Sequence, residues 1–133
     1  MRNNSSIDKQ NIINLFNKKK FNKILKILPK IPSSFEDQPD IFKIIVISYL
    51  NTKNFLKAEK LLRNILISNN TAEYNYILGN TLKIQDKNEE AIIAYKKSIS
   101  LNKNFSEAYN NLANVQKKIR DFDNALLNYK NAI

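Results

Sequence analysis

An all-α protein of stacked helical hairpins is what this sequence predicts, and three observations carry the prediction. The 133 residues include one Gly and three Pro, with 43% hydrophobic residues, a balance that favours long helices over Gly-punctuated sheets or a disordered tail. Within each segment the apolar residues recur at helical spacing. The whole pattern then repeats at a shift of 33 or 34 residues, the mark of units that each bury a face against the next.

Residues 1–38 hold the most degraded copy. Asn11, Ile12, Leu15, Phe21, Ile24 and Leu28 stand in the repeat frame, with Lys18-Lys19-Lys20 as the turn. Pro29 lacks an N–H and ends the second helix early, leaving "PKIPSSFEDQP" (29–39) as an irregular connection. The copy at 39–71 carries Ile45, Val46, Tyr49, Ala58, Leu62, Ile65 and Leu66, and turns at Lys53-Asn54. The copy at 72–105 carries Leu78, Gly79, Asn80, Ala91, Tyr95, Ser98 and Ile99, and turns at Asp86-Lys87-Asn88. The last, 106–133, is incomplete. One of its stripes is Ala108, Leu112, Val115 and Ile119, the other Phe122, Ala125, Leu126, Tyr129, Ala132 and Ile133. Between them lies Arg120-Asp121, where Asp121 is placed to cap the next helix. Together the copies are expected to form one continuous array.

The formal charge of +10 invites a nucleic-acid or anionic-membrane reading. Its distribution argues otherwise. Residues 1–30 hold eight Lys/Arg against Asp8 alone, a net +7, so the other 103 residues carry only +3. Lysine outnumbers arginine nineteen to three, a bias of composition rather than of phosphate-reading forks. With neither Cys nor His, thiolate and imidazole metal sites, Cys–His pairs and Ser–His–Asp triads are excluded within these residues. One Gly leaves no phosphate-cradling loop. Glu89-Glu90 opens a helix, where negative charge complements the dipole without any chemistry. No cofactor, metal or catalytic site is expected. The first twenty residues lack the apolar run of a secretory leader, and the longest apolar stretch, Ile44–Ile47, is far below a membrane span, so a cytoplasmic protein is expected.

"YNYILGN" with "EEAIIAYKKSI", and "EAYNNLAN" with "DNALLNYKNAI", sit 34 residues apart, and in this they resemble the tetratricopeptide repeat family. The resemblance covers 39–133, and 5–38 more weakly. Small residues, Gly79 or Ala113 on the first helix and Ala91 or Ala125 on the second, stand where two backbones approach closely. The family's Gly before the second helix is replaced by Lys53, Asp86 and Arg120. Its closing Pro is replaced by Asn70 and Lys103, and its small first-helix residue by Val46 in the 39–71 copy.

The resemblance implies an α-α superhelix, a solenoid of three clear units and one degenerate one, whose first helices line a concave face. Lys43, Ile47, Asn51, Tyr76, Asn80, Lys83, Asn110, Asn111, Asn114 and Lys117 are expected on that face. A carboxamide both donates to and accepts from a peptide backbone, so the asparagines are placed to hold an extended peptide. Alternatively they face water or bridge neighbouring hairpins. Replacing Asn80 and Asn114 with Ala is expected to weaken binding at little cost in stability. The family's two-carboxylate clamp is not matched: Lys43 stands at one of its basic positions, but Ile47, Ile77 and Glu107 stand at others, and Glu107 is expected to repel an acidic C-terminal peptide. Two functions follow from the resemblance: a scaffold binding a protein or peptide, or the amino-terminal arm of a longer glycosyltransferase- or sulfotransferase-type enzyme with catalysis beyond Ile133. Tyr129, Ala132 and Ile133 each call for a following helix, so the final helix is expected to fray or to self-associate.

Overall fold

The computed structural model describes residues 8–30 and 38–133, and these contain eight α-helices and no strand. They fall into two compact units, one up to Ala58 and one from Glu59. Most of the expected connection, 31–37, lies outside the described residues.

In the first unit, α1 (Lys9–Asn17) starts at Asp8, whose carboxylate accepts the Asn11 N–H at 2.8 Å. This satisfies one of the amides that a helix start leaves unpaired. The chain reverses at Lys18–Lys20 into α2 (Phe21–Ile27), and Phe16 meets Phe21 edge to face across the turn, centroids 6.0 Å apart. α2 ends in a 3-10 turn, Leu28–Lys30, with Pro29 at its centre, as the missing N–H requires. Pro39 then opens α3 (Pro39–Asn51), where a helix needs no donor. α3 packs against both α1 and α2 and buries Ile12, Ile24, Ile41 and Val46 completely. Lys9 and Asp40 pair at 2.7 Å between α1 and the start of α3.

The second unit takes in most of α4 (Phe55–Ser68), then α5 (Ala72–Ile84), α6 (Asn88–Leu101), α7 (Ser106–Lys118) and α8 (Phe122–Asn131). Thr71 caps α5 through its hydroxyl, which accepts the Tyr74 N–H at 3.1 Å. Each of α5 to α8 packs on the next. Their shared core is Tyr74, Leu78, Leu82, Ala91, Tyr95, Ala108, Leu112, Val115 and Ala125. Gly79 has a packing reason to be small: a Cβ there would lie 2.6 Å from Cε1 of Tyr95. Asp121 stands at the start of α8 but caps no backbone amide. Its carboxylate accepts the Asn124 side chain at 2.8 Å, because its backbone (φ −84°, ψ 72°) is not the extended conformation that aims a cap. On α8, Leu126 and Leu127 are more than half exposed, and Ile133, beyond the helix, wholly so.

The four hairpin turns share one geometry. Lys19, Lys53, Asp86 and Arg120 all have φ between 55° and 69°. Each following amide reaches back five residues to the first helix: Lys20 to Leu15, Asn54 to Tyr49, Lys87 to Leu82 and Asp121 to Gln116, at 2.8–3.0 Å. This is the Schellman closure, which normally uses Gly at the left-handed position. The same closure thus recurs at Lys18–Lys20, where the sequence pattern is most degraded. None of the helices described is long and apolar enough to cross a membrane.

Candidate functional site

The site is built from the first helices of the two hairpins in the second unit. On α5, residues 73, 76, 80 and 83 follow one another at i, i+3, i+7 and i+10 and so share a face, as do 107, 110, 114 and 117 on α7. The first face reads Glu73, Tyr76, Asn80, Lys83, and the second Glu107, Asn110, Asn114, Lys117.

Tyrosines from the second helices hold the amides. The Tyr95 hydroxyl donates to Oδ1 of Asn80 at 2.6 Å, and the Tyr129 hydroxyl donates to Oδ1 of Asn114 at 2.5 Å. The two bonds are 34 residues apart and equivalent. Tyr95 is fully buried, and burial pushes its phenol pKa up, so it keeps its proton and remains a donor. Asn80 takes a second bond on the same oxygen, from Nδ2 of Asn111 at 2.9 Å, and Asn111 also donates to the Tyr76 hydroxyl at 3.2 Å. With its oxygen engaged by donors, each of Asn80 and Asn114 turns its Nδ2 away from its tyrosine, and that nitrogen donates to no described residue.

Tyr76, Asn80 and Asn111 are thus joined in one cluster, while Asn114 belongs to the equivalent pair in the next hairpin. Asn111 spends both its N–H donors inside the protein and bridges the two hairpins. Tyr76 is half-buried rather than a free ring, its centroid 4.8 Å from Phe105 and 6.1 Å from Tyr95. Asn110 and Lys117 are exposed on α7, and Lys83 is half-buried on α5. The remaining expected residues lie in the first unit. There Lys43 and Ile47 are half-buried on α3, and Asn51 donates to the Ile47 carbonyl of its own helix at 2.9 Å.

A charged group missed in the sequence braces the same unit. Glu59, on α4 and only 9% exposed, accepts from Arg63 Nε at 2.9 Å, Lys87 Nζ at 2.8 Å and Gln85 Nε2 at 3.0 Å. Burial alone would raise its pKa, but the bonds from Lys87, Arg63 and Gln85 outweigh it and hold the carboxyl at about 2. Arg63 also reaches Glu90 at 2.5 Å, so Glu90 has an ionic partner as well as its place in the first turn of α6. Lys118 pairs with Asp86, joining α7 to the turn between α5 and α6. No group of acidic, His or Cys side chains among the described residues is placed to hold a metal ion.

The fold and the repeated face define a helical-repeat protein, in which equivalent hairpins present equivalent side chains. Residues 79–119 match the TPR repeat model and residues 106–133 the tetratricopeptide repeat model. Residues 79–133 therefore match tetratricopeptide repeats. No curated protein matches its sequence. Among solved structures it is similar to a crystal structure of MamA, with 22% identity and a TM-score of 0.82 over 96% of this chain and 74% of that one. It is also similar to MamA 41-end from Desulfovibrio magneticus RS-1, with 17% identity and a TM-score of 0.82 over 92% and 70% of the two chains. At such identities the likeness is one of fold, the all-α superhelix of stacked hairpins.

Proposed function

We propose that this protein is an interaction scaffold and that the face made by α5 and α7 binds an extended peptide segment of a partner protein. One observation carries the reading. Asn80 and Asn114, equivalent in successive repeats, have their carboxamides fixed by tyrosine hydroxyls, with N–H donors left over. Preorganised donors of this kind lose little freedom when a ligand arrives, which is where binding surfaces gain affinity. A peptide crossing the two helices presents backbone carbonyls to both amides without any demand on its side chains. We place the activity in binding, with no catalysis within these residues.

Photocrosslinking tests it. A benzoylphenylalanine at position 110, beside Asn114 on α7, is expected to capture partner segments selected from a peptide library. The same group at position 93, where Ile93 is 68% exposed on α6, is expected to capture few. Equal capture at both positions would mean that the α5–α7 face is not the binding surface.

A further inference from the structure

We infer that this face selects an acidic segment in polyproline II conformation, with a carboxylate at every third residue. The inference rests on the proposed binding face and goes further by naming the chemistry of its partner. Its starting point is the direction of the hydrogen bonds. The Tyr95 hydroxyl and the Asn111 amide fill both acceptor positions of the Asn80 oxygen, and the Tyr129 hydroxyl fills one of the two on Asn114, so both amides are left with N–H donors to offer a ligand. Lys83 and Lys117 follow them by three residues on the same helix face and carry donors alone. Neither lysine is paired with a carboxylate of the described residues. The end of the face that carries Asn80, Lys83, Asn114 and Lys117 is thus rich in donors, and it fits a partner rich in acceptors.

Polyproline II supplies such a partner. Its backbone makes no internal hydrogen bonds, so its carbonyls are free, and its proline residues have no N–H to leave unpaired. It makes three residues per turn at ~3.1 Å each, so side chains three apart point the same way and stand ~9 Å apart. Neighbouring packed helices have axes roughly 8–10 Å apart, and α5 and α7 are neighbours, tied by the Asn111–Asn80 bond. One turn of the ligand therefore advances from Lys83 to Lys117 while its carbonyls pass Asn80 and Asn114. Glu107 does not forbid this. It lies ten residues from Lys117 on the same helix, ~15 Å along the axis, beyond the ~8 Å screening length at physiological salt. The acidic ligand accordingly runs along the lysine rim, at the carboxyl ends of α5 and α7.

Fluorescence anisotropy with fluorescein-labelled peptides of three Glu-Pro-Pro repeats, and with the matching Gln-Pro-Pro and Lys-Pro-Pro peptides, decides it. The Glu peptide is expected to bind about tenfold more tightly than the Gln peptide, and the Lys peptide more weakly than either. The preference is expected to disappear in the double variant Lys83→Glu, Lys117→Glu. The pair Lys83→Gln, Lys117→Gln gives the same reading should the reversal perturb folding, which a melting curve reports. A peptide with the same number of glutamates at every fourth residue is expected to lose the advantage. Equal binding of all three peptides, or a Glu preference that survives both lysine pairs, overturns the inference. So does binding of none, while crosslinking at position 110 decides the broader peptide-binding reading separately.

Discussion

At the residue scale, the asparagines that the sequence marks as ligand-facing also hold the fold, and to different degrees. Asn80 accepts from the fully buried Tyr95 and from Asn111. Removing it leaves a buried hydroxyl without an acceptor, which costs about 1–3 kcal/mol. Asn114 accepts from a half-buried Tyr129 whose hydroxyl can turn to water, so its loss costs about 1 kcal/mol or less. Asn80→Ala is therefore expected to lower the urea midpoint clearly and Asn114→Ala only slightly, in contrast to the equal, small effects that the sequence suggests. Equal losses would show that burial of the tyrosine is not what separates them. For testing binding without disturbing the core, Asn114 is the position to change.

At the element scale, the hairpins close through a left-handed residue that is never glycine. For an L-residue this conformation costs roughly 1–2 kcal/mol, and Arg120 (φ 69°) pairs with no carboxylate of the described residues to offset it. Gly removes the strain but adds freedom to the unfolded chain. Arg120→Gly is accordingly expected to stabilise the protein by a net ~0.5–1 kcal/mol, read as a higher urea midpoint at unchanged slope, whereas Arg120→Ala is not. A fall in midpoint for the Gly variant would show that the turn is held by the Arg120 side chain. Asp86 is a poorer choice for this experiment, because its carboxylate also binds Lys118.

At the scale of the whole molecule, the second unit is more than a sum of hairpins, and Glu59 shows why. Its carboxylate is held by Arg63 of its own helix and by Gln85 and Lys87, 26 and 28 residues away. Its folded pKa of about 2 lies below its usual 4.5. The unfolded state thus binds the proton first, so the stabilisation is complete above about 4.5 and is lost as pH falls toward 2. The difference in unfolding free energy between the wild type and Glu59→Gln is expected to be on the order of 3 kcal/mol near pH 7 and to shrink below pH 4. A difference constant from pH 7 to 2.5 would remove the carboxylate from this role. Periodicity made the helices legible, because burial of one face is written into every third or fourth residue. The repeat shift placed the turns and marked position 79 as small, but what fills the space there is the Tyr95 ring rather than a neighbouring backbone. The direction of the Asn80 and Asn114 amides was not legible, since Asn at a given spacing carries no sign of which end a tyrosine will take. Nor was Glu59, whose partners are long side chains that converge only after three elements have packed. By itself, then, the sequence determined an all-α repeat and the helix faces that carry its amides, because these depend on local spacing. Only the tertiary structure decided which donors remain outside and which charges become internal braces, because hydrogen-bond direction and burial are set by neighbours distant in the chain.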